Sequence, residues 1–160
     1  MQRTLDANIS WYKRRFAKNY DTILAARSTL KEKFDQFPDA FCVDASRLLL
    51  SLLPNLSVVC GRFQNKKMER SFLHVWVFDM EGGCHIDITA DQFSPFKQNI
   101  VIFKTSDTDF MKKFGYSVTP LETFNELFRG PLRRFTMSKY RIHKTPLRTL
   151  VTTVKRKIRK

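Results

Sequence analysis

Three residues of this 160-residue chain, Cys42, His74 and Asp87, have the types that a nucleophilic thiol requires. A thiol becomes a nucleophile when its pKa is lowered, when an imidazole holds or moves its proton, and when a third group orients that imidazole. Cys42 lies three residues after Asp39, which we predict to cap a helix. The amide groups at a helix start favour a thiolate, although Asp44 opposes this effect electrostatically. The sequence therefore predicts a Cys-His-Asp triad.

The meeting of His74 with Asp87 depends on a predicted β-hairpin at residues 72–89. If residues 79–82 form its loop, His74 lies directly opposite Asp87. Directly paired Cβ atoms lie about 4.5 to 5.5 Å apart, within reach of a hydrogen bond between an imidazole and a carboxylate. The same register places five residues on one continuous apolar face: Val75, Val77, Cys84, Ile86 and Ile88.

The elements that must position these residues predict an α+β fold. Apolar residues at steps of three and four predict helix over most of residues 1–34, interrupted near Asn19 or Asp21, and again at 40–53. Runs rich in β-branched and aromatic residues then predict strands at 56–63, 72–78, 84–89 and 99–103. Capping signals and apolar spacing predict two later helices, a short one from residue 119 and a basic amphipathic one from residue 145.

The net charge of +14 is concentrated in residues 129–160, which contain 12 basic residues and no acidic one. We therefore divide the chain into a catalytic domain with an N-terminal helical region at 1–128 and a basic C-terminal arm at 129–160. Such an arm suits an anionic membrane surface, nucleic acid or an acidic protein. Its apolar stripe at 147–158 favours a membrane surface or a partner groove over plain nucleic-acid binding.

Composition excludes several classes of protein. With 42% hydrophobic and 13% aromatic residues, the chain can bury a core and is not typical of a disordered protein. Its three cysteines lack the spacing of a disulfide scaffold or a structural zinc site, so we expect Cys60 and Cys84 in the core, no metal and no cofactor. The N-terminus lacks the apolar centre of a signal peptide, so we expect synthesis in the cytosol. Delivery to another cell as a secreted effector or toxin stays open.

The order and surroundings of the three residues resemble a known superfamily. Cys42 within Cys-Val-Asp-Ala-Ser, His74 within Leu-His-Val-Trp-Val and Asp87 within His-Ile-Asp-Ile-Thr are similar to the papain-like and transglutaminase-like cysteine hydrolases, especially their small bacterial toxin and effector members. The resemblance covers about residues 36–93. It implies a papain-like fold in which the cysteine starts a helix packed on an antiparallel sheet, while the histidine and the aspartate sit on successive strands.

Four other residues are candidates for the surroundings of the triad. The resemblance implies that Gln36, six residues before the cysteine, helps to hold an oxyanion, and the amide of Val43 is a second candidate donor. Gln92 either supports the site, as the resemblance implies, or stabilises a loop. Trp76 either lines the cleft beside the histidine or packs in the core. His85 is a weaker candidate for the base, because no acid is placed to orient it.

These residues predict a cysteine-dependent amide hydrolase or acyltransferase that acts on protein or peptide carboxamides. Papain-type proteases usually carry asparagine as the third group, so aspartate favours the branch of glutamine deamidases and transglutaminases. A processing cysteine peptidase is the alternative among enzymes. The alternative from another class is a non-enzymatic adaptor that binds nucleic acid or anionic membrane through residues 129–160.

Overall fold

The computed structural model describes residues 2–39, 41–65, 70–92, 99–107, 112, 116–119 and 146–159. Within these ranges the α-helices are α1 (Gln2–Arg15), α2 (Ala17–Lys33), α3 (Cys42–Leu52) and α4 (Leu147–Ile158). The strands are β1 (Leu56–Asn65), β2 (Arg70–Asp79), β3 (Cys84–Asp87), β4 (Val101–Lys104) and β5 (Tyr116–Thr119). They form one antiparallel sheet in the order β4-β3-β2-β1-β5, which confirms the α+β class. No helix in this part of the chain is long and apolar enough to span a bilayer.

The break between the first two helices lies at Phe16, and the predicted interruption at Asn19 or Asp21 is wrong. Phe16 adopts φ −129° and ψ 51°, which are not helical, yet its N–H still donates to the carbonyl of Tyr12 at 2.7 Å. The rings of Phe16 and Tyr12 pack with their centroids 5.0 Å apart, and Trp11 adds a further contact at 6.0 Å. Aromatic packing therefore accompanies this bend, whereas the prediction relied on polar residues.

The helix that carries the cysteine begins at Cys42, and its cap is Phe41 instead of the predicted Asp39. Phe41 makes no side-chain capping bond. Its ring is buried and packs against the rings of Phe34 and Phe37, at centroid distances of 5.1 and 5.6 Å. Asp39 is exposed in the turn before the helix. Burial of an aromatic side chain, not a polar cap, therefore marks this helix start.

The predicted hairpin forms from β2 and β3, but its register differs from the prediction by two residues. Val77 pairs with Ile86 and Asp79 pairs with Cys84, so the loop covers residues 80–83. Because the side-chain period of a strand is two, this shift leaves every side chain on its predicted face. The direct pairings of His74 with Asp87 and of Trp76 with His85 are therefore wrong, although each pair still shares a face.

The buried carboxylate of Asp79 gives a physical reason for this register. Its Oδ1 accepts the amide hydrogens of Glu81 and Gly82 at 2.9 and 3.0 Å, which closes the turn. Its Oδ2 accepts a hydrogen bond from the hydroxyl of Tyr12 at 2.6 Å. Gly83 ends the loop with φ 61°, a conformation that favours glycine. Asp79 is therefore the last residue of β2, whereas the prediction placed it in the loop.

One core joins the helices to the inward face of the hairpin. The hairpin contributes Val77, Cys84, Ile86 and Ile88. The basic amphipathic helix predicted near the C-terminus is present as α4, and its Leu150 and Val154 are buried in the same core. Part of the apolar stripe that we assigned to a membrane or a partner groove is thus covered by the protein itself.

The sequence analysis missed one strand, and one predicted helix lies almost wholly outside the described residues. The strand β5 was not predicted; it pairs with β1 between residues 60 and 63. The short helix predicted from residue 119 lies, apart from its first residue, outside the described residues, and Thr119 itself ends β5.

Candidate functional site

The thiol of the site belongs to the first turn of α3. The first backbone bond of that helix runs from the amide of Ala45 to the carbonyl of Phe41 at 2.9 Å, so Cys42 and Val43 lie at the amide-rich end of the helix. The hydroxyl of Ser46 donates to the carbonyl of Cys42 at 2.7 Å. Cys42 is partly exposed. A ligand could therefore approach it from solvent.

The imidazole of His74 and the carboxylate of Asp87 form a buried pair. His74 Nε2 lies 2.6 Å from Asp87 Oδ2, and both side chains are at most 1% exposed. The second oxygen, Asp87 Oδ1, accepts the amide hydrogen of Thr89 at 2.8 Å and its hydroxyl hydrogen at 3.0 Å. Both oxygens of the carboxylate therefore have partners, which holds its plane in place.

The electrostatics of His74 connect all three residues of the predicted triad. Burial by itself lowers the pKa of His74, but the charge and hydrogen bond of Asp87, together with a hydrogen bond and the charge of Cys42, raise it to about 10. Nε2 faces Asp87, so Nδ1 is the ring nitrogen that the carboxylate does not engage. The structure thus brings His74 and Asp87 into contact, with Cys42 close enough to the imidazole to raise its pKa.

A row of aromatic rings continues from the imidazole. Trp76 stacks on His74 with centroids 5.5 Å apart and an interplanar angle of 27°, and its Nε1–H donates to His85 Nδ1 at 3.0 Å. His85 in turn stacks on Phe103 at 4.7 Å. Trp76 is 1% exposed, so it packs against the imidazole instead of lining an open cleft. Burial lowers the pKa of His85 to about 4, which leaves it neutral near pH 7.

The remaining candidate residues take different positions. Gln36 is exposed in the turn before α3, and across the described parts of the chain no hydrogen bond links its side chain to the triad. Val43 directly follows Cys42 at the helix start. Gln92 lies in a short 3-10 turn, and both its side-chain and its main-chain amide donate to the carbonyl of Thr89, at 2.9 and 3.1 Å. Gln92 therefore braces the residue that holds the carboxylate.

Thr89 is a residue of the site that sequence reasoning missed. A threonine two residues after an aspartate can bond to that carboxylate through both its amide and its hydroxyl, which is a known local motif. The pattern Asp-Ile-Thr at 87–89 therefore contained a usable signal.

The other two cysteines differ from Cys42 in their environment. Cys60 on β1 and Cys84 on β3 are 2% and 0% exposed. Burial raises their pKa values to about 11 and about 12, so both thiols stay protonated near neutral pH. They match the expectation of core residues. Within the described ranges, no group of three or more His, Cys, Asp or Glu side chains could hold a metal ion.

No protein-family model, no curated protein and no solved structure matches this chain.

Proposed function

We propose that this protein is a cysteine-dependent amide hydrolase or acyltransferase of the papain-like and transglutaminase-like type, with Cys42 as nucleophile. The observation that carries the proposal is the buried pair of His74 and Asp87 at 2.6 Å, whose imidazole has its pKa raised further by the nearby Cys42, a partly exposed cysteine at a helix start. A thiol nucleophile, a base close to it and a third group that orients the base are the arrangement that is typical of covalent catalysis by a thiol.

In the first step of the proposed mechanism, the thiol of Cys42 gives its proton to the imidazole of His74. The thiolate attacks the carbonyl carbon of a carboxamide, and the amides at the start of α3, including that of Val43, stabilise the oxyanion. His74 then gives its proton to the leaving amine or ammonia as the C–N bond breaks, which leaves an acyl-thioester on Cys42. Water or an acceptor amine, deprotonated by His74, attacks that thioester and regenerates the thiol. Asp87 stays ionised throughout and keeps the imidazole in place.

The reaction is tested first through the reactivity of the thiol. Iodoacetamide should alkylate Cys42 much faster than Cys60 or Cys84, which are buried and act as internal controls. His74→Gln should slow the alkylation of Cys42 and leave the two other rates unchanged. A Cys42 that reacts no faster than the buried cysteines, or whose rate ignores His74→Gln in a folded protein, would overturn the proposal.

The substrate is tested through the products. Glutamine-containing proteins and peptides should release ammonia, or incorporate a primary amine, in the presence of the wild-type protein and not of Cys42→Ala. Cleavage of the peptide chain without ammonia release would instead identify a processing cysteine peptidase. The charged carboxylate at position 87 supports the first outcome, because the resemblance associates it with the deamidase and transglutaminase branch.

A second candidate function is the binding of a polyanion through α4. Four cationic side chains are exposed on this helix and at its C-cap: Arg148, Lys155, Arg156 and Arg159. Helical periodicity puts the first, second and fourth on one stripe about 17 Å long, at about 1.5 Å per residue. Leu150 and Val154 are buried in the core, so that only Leu147 and Ile158, at the two ends of the apolar stripe, are exposed, and the exposed surface of the helix is mainly cationic. This favours the phosphate backbone of nucleic acid over a membrane.

Reversing the charge of that stripe tests this second function. The triple variant R148E/K155E/R159E should lose binding to duplex DNA and reduce the dependence of affinity on salt, while Cys42→Ala should bind as the wild type does. Retained binding by the triple variant would refute the role of α4. Binding to vesicles with an anionic lipid, with no binding to DNA, would identify a membrane surface instead.

A further inference from the structure

Arg27 is a buried cation that neither the triad nor the core explains. It lies on α2 with its side chain 8% exposed. Its guanidinium donates to Asp91 through two nitrogens, at 3.1 and 2.6 Å, and to the carbonyl of Ile88. A buried charge is costly unless it is paired and hydrogen-bonded, and these contacts meet both conditions.

The contacts of Arg27 fix the backbone that follows the catalytic carboxylate. β3 ends at Asp87, so the sheet ladder does not hold the next residues. Ile88 is directly attached to Asp87 and to Thr89, whose amide and hydroxyl bond to the carboxylate. A guanidinium bond to the carbonyl of Ile88 therefore acts on the same short segment that orients Asp87.

The same guanidinium also contacts the segment that leads to the nucleophile. Its carbon lies 4.9 Å from the centre of the Phe37 ring. Phe37 packs edge-on against Phe41, with centroids 5.6 Å apart and an interplanar angle of 70°. Phe41 is the cap of α3 and immediately precedes Cys42. One side chain thus contacts the supports of both ends of the triad.

We propose that Arg27 is a positioning residue that fixes the distance between the thiol and the imidazole–carboxylate pair, by binding the turn after Asp87 and the aromatic segment before Cys42 at once. This inference rests on the proposed function and adds to it. A planar fork that bonds a carboxylate through two nitrogens and stacks on a ring is specific to arginine, so lysine should not replace it.

The test compares Arg27→Lys with Lys157→Met. Arg27→Lys keeps the charge beside Asp91 but removes the fork and the stacking. Lys157→Met is the control, because it removes an ion pair near the surface between α4 and Glu32 on α2, the helix that carries Arg27. We expect the alkylation rate of Cys42 to fall by about tenfold or more in Arg27→Lys and to stay within about twofold of the wild type in the control.

A double-mutant cycle distinguishes positioning from general destabilisation. If Arg27 acts through the triad, Arg27→Lys combined with His74→Gln should be no slower than His74→Gln alone. The inference would be overturned if Arg27→Lys slowed alkylation by the same factor in the wild type and in His74→Gln. It would also be overturned if a folded Arg27→Lys protein reacted at the wild-type rate. Should Arg27→Lys fail to fold, Asp91→Asn weakens the same contact with less change in shape, and the same outcomes apply to it.

Proton NMR separates this inference from the proposed function. The hydrogen in the buried bond between His74 and Asp87 should give a downfield signal. Arg27→Lys should shift this signal and should make the hydrogen exchange faster with water. If alkylation of Cys42 does not depend on His74, the proposed function is refuted and the alkylation rates no longer report on Arg27. The NMR signal alone then decides, and a change of that signal in Arg27→Lys would support the positioning of the imidazole–carboxylate pair. An unchanged signal in a folded variant, with alkylation that depends on His74, would refute the positioning role and leave the proposed function standing.

Discussion

Replacing Asp87 with asparagine separates the charge of that side chain from its shape. The amide can still face His74 and Thr89, but it has no negative charge. In the folded protein, burial lowers the pKa of His74, and the charge and hydrogen bond of Asp87 are the largest causes that raise it, to about 10. In Asp87→Asn, the negative charge that opposes the effect of burial is absent, so the pKa of His74 should fall toward or below its ordinary value of 6.5.

The size of the effect follows from the protonated fraction of His74. At about pH 7.5, a pKa of about 10 keeps His74 almost fully protonated, whereas a pKa of 6.5 leaves only about a tenth of it protonated. A thiolate that is stabilised by an imidazolium loses its partner in the same proportion. Alkylation of Cys42 should therefore slow by roughly tenfold at that pH. The loss should shrink as the pH falls, because the imidazole of the variant then regains its proton.

The assay is the rate of Cys42 alkylation by iodoacetamide as a function of pH, followed by mass spectrometry of the peptide that carries it. Glu32→Gln is the matched control, because it neutralises an exposed carboxylate on α2 and should leave the profile unchanged. Circular dichroism and thermal unfolding establish that each variant is folded. Superimposable profiles for the wild type and Asp87→Asn would show that this charge does not control His74, and would refute the reasoning.

Three further predictions concern stability. Leu150→Ala should lower the free energy of unfolding by about 2 to 5 kcal/mol in urea denaturation, because it opens a cavity under α4, whereas Leu147→Ala, at a site 36% exposed, should cost much less. Folding raises the pKa of His74, so its stabilising contribution is complete below pH 6.5 and is lost towards pH 10. Over that window the free energy of unfolding should fall relative to His74→Gln by up to about 1.4 kcal/mol per pH unit, and parallel curves would contradict this. Trp76→Phe should cost about 1 to 3 kcal/mol, because His85 Nδ1 loses a buried donor, and an unchanged melting temperature would count against it.

The faces of the hairpin could be predicted from the sequence, but its register could not. Alternation of apolar and polar residues repeats every two positions, so a shift by two residues satisfies it equally well. The register instead depends on Asp79, whose carboxylate is held by the loop and by Tyr12 on α1. That bond joins distant parts of the chain, and no local pattern contains it. Asp87 meets His74 in either register because the side chains share a face.

The contacts that support the triad were the least predictable part of the site. In the sequence, Arg27 appears only as a skipped position in the apolar stripe of the second helix, and Phe41 as one more aromatic residue before the cysteine. Their importance comes from partners on other elements, such as Ile88 and Phe37. The residue types and the shared face of the hairpin did predict that His74 and Asp87 meet, and the structure confirms that contact. The order in which buried groups pack is a tertiary property.

Stability alone does not account for the buried pair of His74 and Asp87. Taking an imidazolium and a carboxylate out of water costs several kcal/mol per ion, and apolar side chains of similar volume are often neutral or stabilising replacements for such a pair. The fold nevertheless surrounds this pair with Trp76 and Thr89 and leaves the adjacent Cys42 partly exposed. An apolar contact here would often serve stability equally well. An imidazole whose charge is maintained by a buried carboxylate, near a partly exposed thiol, is instead the arrangement that the proposed thiol chemistry requires at neutral pH.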